Sequence, residues 1–286
     1  MKRTEWLQAE AEHIARAEAL TAGHRARAAR AQKHPVEDFL FSYYSYRPSI
    51  LRRWHPGVGV DLEDASDSER ANWRWYLPGT AAGSIRVDVT GYETTHTKTL
   101  DNVALILRRT AERTGTFDCF GLHEWAMVYR EREPRHPVPL RLGARDTDAV
   151  VEAHDLRCTH VDAFRFFTPE AAPRNREQLT RERQPHTEQP GCLHAGMDLY
   201  KWAIKLGPLL PGSVLLDAFT LARDICEIDM RASPYDLTEW GYAPIPIERA
   251  EGKAEYVRWQ RRFAARSSDI RATLLAVLDQ RQRPEP

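Results

Sequence analysis

The chain has 286 residues, with 41 basic against 41 acidic side chains and a formal net charge of zero. Hydrophobic residues make up 42% and charged residues 29%, the balance of a folded protein long enough for a substantial core. The lack of a basic excess argues against a domain that coats nucleic acid electrostatically. No stretch of about 18 uninterrupted apolar residues and no signal-peptide pattern occurs, so no membrane partner and a cytoplasmic location are expected.

Residues 1–33, rich in Ala, Glu and Arg, predict an amphipathic helical arm with Trp6, Leu7, Ile14 and Leu20 as its large apolar residues. Its end, His24 to Lys33, is basic and reads either as a solvated face or as a phosphate-contacting segment. His34-Pro35 ends the helix. A short aromatic helix is expected within Val36–Tyr46, with another around Ile50, Leu51 and Trp54. His55-Pro-Gly-Val-Gly59 has the glycines of a phosphate-binding hairpin, but the acidic run Asp61-Leu-Glu-Asp64 follows and would repel DNA. Residues 60–100 read as polar and irregular, apart from Ser84–Thr90, which alternates as a half-buried strand does.

Leu100–Thr114 predicts a helix, and Phe117–Arg130, apolar on nearly every side, predicts a central one. His136 to Gly143 is expected to be extended because of its two prolines, and Thr147–His154 to be helical, capped by Asp146 or Thr147. Val161–Phe167 is strand or buried helix, and Thr168-Pro-Glu170 reads as a helix start. Residues 173–191 predict a long, polar, exposed loop leading into a helix that holds His194 and Asp198 and ends at Gly207-Pro208. Helices over 213–229 and about 252–278 complete the chain. The expected fold is mainly α, with a few short strands: an arm (1–33), a single mostly helical globular domain (34–280) and a tail (281–286). The oligomeric state is left open.

Three histidines lie in apolar segments, each close to an acid: His123 beside Glu124, His160 two residues from Asp162, and His194 four residues from Asp198. A polar pair on an apolar helix is costly to bury without partners. Cys119, Cys158 and Cys192 precede these histidines by two to four residues; with Cys226, they show no CxxC pair and read as reduced, buried thiols. One reading is a metal centre: His123, His160 and His194 as ligands for zinc or iron, with Glu124, Asp162 or Asp198 completing the shell. Adjacent helical residues diverge by about 100°, so His123 and Glu124 are not expected to share one ion. The alternatives are core histidines satisfied by backbone or acids, and a metal-free site using the same carboxylates as general acid or base. Trp125, Tyr129, Phe164, Phe166, Tyr200 and Trp202 would then either stack on a flat ligand or serve as core. Arg231, between Asp229 and Asp236, and likewise Arg130 and Arg141, read as ion-pair partners or anion clamps, with an Asp–Arg lock at the 229–236 corner slightly favoured.

Five strings resemble a family. They are His34-Pro-Val-Glu-Asp-Phe-Leu-Phe41, Phe120-Gly-Leu-His-Glu-Trp-Ala-Met-Val-Tyr-Arg130, Cys158-Thr-His-Val-Asp-Ala-Phe-Arg-Phe-Phe167, Glu188-Gln-Pro-Gly-Cys-Leu-His194 and Asp229-Met-Arg-Ala-Ser-Pro-Tyr-Asp236. They are similar to strings in a largely actinobacterial family commonly labelled 3-methyladenine DNA glycosylase, over residues 34–270. The resemblance implies a DNA-repair N-glycosylase that flips an alkylated base into an aromatic pocket and hydrolyses its glycosidic bond. Asp198, Glu124 or Asp162 would then steady the oxocarbenium-like sugar. Trp125, Tyr129 and Trp202 would line the pocket, Arg130 and Arg231 would bind substrate, DNA would be the partner, and no metal would be required. Two other functions remain open on the residues: a His/carboxylate metal-dependent hydrolase or oxygenase, and a non-catalytic protein that binds a nucleobase-like small molecule.

Overall fold

The computed structural model describes residues 1–131 and 137–280. His136, the start of the expected extended run, and the 281–286 tail lie outside the described residues. In chain order the helices are α1 (Arg3–Ala29), α2 (Phe39–Tyr43), α3 (Ser49–Arg52), α4 (Val89–Ala111), α5 (Leu122–Ala126), α6 (Gly143–Glu152), α7 (Val161–Phe164), α8 (Gln184–Thr187), α9 (Leu193–Leu206), α10 (Gly212–Ala232) and α11 (Ala250–Gln280). The antiparallel pair β1 (Tyr76–Pro78) and β2 (Ile85–Val87) is the one sheet among the described residues. The protein is mainly α, as its periodicity predicts.

The described residues divide into two compact units: 1–105, 199–220 and 269–280 form the first, and 106–131, 137–198 and 221–268 the second. In the first, α1 buries a thin stripe of Trp6, His13, Ala17 and Thr21. Trp6 Nε1 donates to the Glu63 carbonyl at 2.9 Å, and the Arg70 guanidinium stacks 4.9 Å from the rings of both Trp54 and Trp73. The expected basic end of α1 is partly neutralised, since Arg27 pairs with Glu37 and Asp38, and His24 with Asp38. The strand expected over Ser84–Thr90 is shorter and finds its partner in β1, with Leu77 opposite Arg86. It stops because Asp88 Oδ1 accepts the Gly91 amide at 2.9 Å. That is an N-cap bond, and it starts α4 at Val89 rather than at Leu100.

The second unit departs further from the expected elements. The central helix predicted over Phe117–Arg130 contracts to the five residues of α5. Phe120 (φ 51°), Gly121 (φ 74°) and Arg130 (φ 54°) are left-handed, which no α-helix accommodates. Helix α6 begins at Gly143, before either expected cap; Thr147 Oγ1 donates back to the Gly143 carbonyl at 2.6 Å. Thr168 does not start a helix. Its hydroxyl donates to the Tyr129 carbonyl at 2.9 Å and accepts the Ala171 amide, holding a turn. The 173–191 segment, expected to be exposed, buries Asn175, Gln184, Glu188 and Gln189. Asn175 explains part of this: its carboxamide accepts the Cys158 amide at 2.9 Å and donates to the Cys158 carbonyl at 3.1 Å, pinning the chain just ahead of His160.

Candidate metal centre

All three histidines lie in the second unit, and each arrives by a different device. His123 sits in α5, just after the left-handed Phe120-Gly121 pair reverses the chain. His160 is the extended residue that opens α7, two residues after the Cys158 that Asn175 pins. His194 is in the first turn of α9. The approach to that turn is fixed by Gln189, whose side-chain oxygen accepts the amides of Thr116 (2.9 Å) and Gly191 (2.7 Å). Gly191 passes so close to the Thr116 carbonyl that a Cβ there would stand 2.2 Å from its oxygen. One turn further along α9, Asp198 projects on the same side as His194.

The three imidazoles converge. The ring centroids of His123 and His194 are 4.5 Å apart, and those of His160 and His194 are 5.2 Å apart. Two carboxylate sets flank them. His123 Nε2 lies 2.9 Å from Asp229 Oδ2 and 3.5 Å from Glu124 Oε1, and His194 Nδ1 lies 3.8 Å from the same Asp229 oxygen. On the other side, His160 Nε2 faces Asp198 Oδ2 at 3.2 Å and Glu188 Oε1 at 3.4 Å. Two geometric groups result, His123–Glu124–His194–Asp229 and His160–Asp162–Asp198, each with its ligand atoms within 4.8 Å of one another. The shorter of these contacts are hydrogen bonds, His123 to Asp229 and His160 to Asp198; ligands bound at roughly 2.1 Å to one ion stand about 3–4 Å apart, a spacing these groups could also adopt.

The electrostatics are those of buried charge looking for balance. Burial alone would lower the His123 pKa, but the Asp229 carboxylate overrides it and holds His123 well above its ordinary value. Burial pushes Asp229 up, and His123 brings it below the usual carboxylate range. The Tyr256 hydroxyl donates to Asp229 Oδ1 at 2.8 Å, so both carboxylate oxygens are engaged. Burial, reinforced by His123, drives His194 down to about 3, leaving a neutral imidazole with a lone pair to give. Glu124 rises to about 7, chiefly through burial. Burial raises Cys158 to about 12 and pushes Cys192 up as well, so these thiols stay protonated beside the histidines. Cys119 Sγ lies 3.5 Å from His123 Nδ1.

His123 and Glu124, not expected to share one ion from adjacent helical positions, nevertheless approach each other. Their Cβ atoms do diverge, but the long glutamate side chain reaches back to 3.5 Å. The pairing of partners also differs from that in the sequence, because Asp198 faces His160 while His194 faces Asp229. Asp162 is held by both guanidinium nitrogens of Arg181. Trp125 is fully buried, with Nε1 donating to the Ala232 carbonyl at 2.9 Å. Tyr129 is buried and bonds Glu152, which also pairs with the exposed Arg130. Trp202, in the first unit, is buried with the Lys201 ammonium 4.3 Å from its ring centroid. Arg231 does not lock Asp229: its Nε donates to the Ala243 carbonyl, and its guanidinium is near Glu227 and Glu255.

Asp229, Glu188 and Tyr256 are the site residues that sequence reasoning misses. Asp229 was discoverable, since Leu221, Ile225 and Asp229 fall at successive i,i+4 positions and all are buried. Next to the cluster, a cleft of about 330 Å³ is lined by Cys158, Thr159 and Gln189, chain neighbours of His160 and Glu188, together with Arg113, Arg157 and Arg176. Comparison with protein-family models, curated proteins and solved structures finds no match for the chain.

Proposed function

We propose that the chain is a metal-dependent enzyme, a hydrolase or an oxygenase, whose centre is built from His123, His194, Asp229 and Glu124. The observation that supports this is the convergence of two imidazoles and two carboxylates from α5, α9 and α10 on one buried point. Two histidines and one carboxylate on one face of an ion, with further positions open, suit zinc hydrolysis or iron(II) oxygen chemistry. Such an ion would supply Lewis acidity and an acidified water. The protein's own residues do the rest. Neutral His194 presents a lone pair without needing to lose a proton. Tyr256 fixes the orientation of Asp229, the kind of outer support that tunes a ligand. Glu124 Oε1, 3.5 Å from His123 Nε2, is the group placed to exchange a proton beside the ion. The adjoining cleft is within the size range of small-molecule sites, and its lining mixes three arginines with Asp118 and Glu177.

The base-release reading needs an accessible aromatic pocket. Trp125 and Tyr129 are instead packed and hydrogen-bonded, so less supports that reading than supports the metal centre. Elemental analysis of protein purified without chelators should find stoichiometric zinc or iron, reduced at least tenfold in His123→Ala and His194→Ala. Metal-free wild-type protein that takes up neither ion, and that releases base from alkylated duplex DNA, would replace the metal reading with the glycosylase one.

A further inference from the structure

Building on that reading, we propose that the centre is dinuclear, with a second divalent cation held by His160, Asp198 and Glu188 beside the one held by His123, His194 and Asp229. The first argument is geometric. Asp198 Oδ2 and Glu188 Oε1 both approach the same nitrogen of His160, at 3.2 and 3.4 Å. Each separation suits a pair of ligand atoms sharing one ion with bonds of about 2.1 Å. Asp162 completes the surroundings, within 4.8 Å of His160 and Asp198, oriented by Arg181.

The second argument is charge. Glu188 and Asp198 are each about 1% exposed, and His160 is fully buried. One imidazole N–H cannot satisfy two carboxylates at once. Asp162, Asp198 and Glu188 gather three acids around one imidazole, and buried charges in proteins are paired or coordinate metals. Gln184 donates to Glu188, which fixes the carboxylate without neutralising it. The third observation is an orphan: among the described residues His160 Nδ1 has no hydrogen-bond partner, although the side chain has no contact with solvent. The other nitrogen, Nε2, is the one that faces both carboxylates and is placed to ligate.

The two sets are adjacent by construction. His194 and Asp198 are successive residues on one side of α9, separated by about 6 Å along its axis, and the His160 ring centroid lies 5.2 Å from that of His194. Paired ions stand roughly 3.5–4 Å apart and clamp the attacking and leaving oxygens of one substrate. The cleft lined by Cys158, Thr159 and Gln189 lies at chain neighbours of His160 and Glu188, on the side of the second set.

The test is anaerobic titration of the metal-stripped full chain with cobalt(II) chloride, followed by visible absorption and elemental analysis. Wild-type protein should saturate at two equivalents. His160→Gln and Glu188→Gln should saturate at one, with unchanged far-UV circular dichroism. The retained first equivalent is an internal control for folding. Should either variant fail to fold, the electron paramagnetic resonance spectrum of manganese(II)-loaded wild type decides, with an exchange-coupled multiline signal expected. A wild-type break at one equivalent, or an isolated six-line manganese signal, would overturn the dinuclear centre and leave the mononuclear reading standing. Two equivalents retained by both variants would place the second ion elsewhere and overturn it too. No cobalt bound at all would overturn both readings.

Discussion

Asp229 is the residue through which most of the centre communicates. One oxygen faces His123 and His194, and the other accepts the Tyr256 hydroxyl. Tyr256→Phe removes that hydroxyl and little else, so the fold should persist while the carboxylate loses its orientation. Loss of such outer support typically costs about 10–100-fold in metal affinity. Competition against a chromophoric chelator should show that loss in Tyr256→Phe; affinity equal to wild type would mean that the bond serves packing alone. At this scale the sequence was informative about residue types and poor about pairing. The histidine–acid recurrence marked segments whose imidazoles the fold brings together. It could not say that Asp229 faces inward and Arg231 outward, because two residues on a helix point roughly 200° apart and only the buried ladder through Leu221 and Ile225 reveals which is which. Nor could it show that Glu188, in a string dominated by polar residues, is among the most buried acids of the protein.

At the scale of elements, the site depends on short irregular segments more than on long helices. The helices α9, α10 and α11 were legible because their apolar periodicity is long. The α5 and 173–191 segments were not. In the first, left-handed Phe120 and Gly121 break a run whose composition reads as continuous helix. In the second, burial follows from side-chain amides that satisfy the backbone, which no hydropathy pattern records. Gly191 shows the consequence. A methyl group there would collide with the Thr116 carbonyl, a backbone atom that cannot rotate away. Gly191→Ala should therefore destabilise the protein by about 1–3 kcal/mol, the usual range for overpacking, read as a lower urea midpoint at unchanged slope. It should also weaken metal binding, because the same displacement moves the first turn of α9 and His194 with it. Full stability in this variant would show that the approach to α9 can relax without cost.

For the whole molecule, mainly α architecture was readable from composition and period. The division into two units was not, because it falls inside α4, α9, α10 and α11, where no Pro- or Gly-rich linker marks it. The buried carboxylates make a whole-chain prediction. A ligand present at a hundred times its Kd stabilises the folded state by about 2.7 kcal/mol, which at this chain length corresponds to roughly 5–10 °C in Tm. Dialysis against a strong chelator should lower Tm by that order, and readdition of the ion should restore it. A Tm indifferent to both treatments would count against any ion bound within the folded chain.

The spacing of His194 and Asp198 restricts what evolution or a protein engineer can do with this stretch. Between those two positions the chain has no freedom of length. Adding or deleting one residue would swing one of them about 100° around α9 and detach it from its set. The intervening Gly196 is constrained as well, since a Cβ there would stand 2.7 Å from the Ser267 hydroxyl oxygen and 3.0 Å from Ile225. Insertions and deletions tolerated elsewhere should therefore be absent from residues 194–198 in any relative that keeps both halves of the centre. A gap there would be the simplest sign, in a newly read sequence, that the chemistry has been lost while the helix remains.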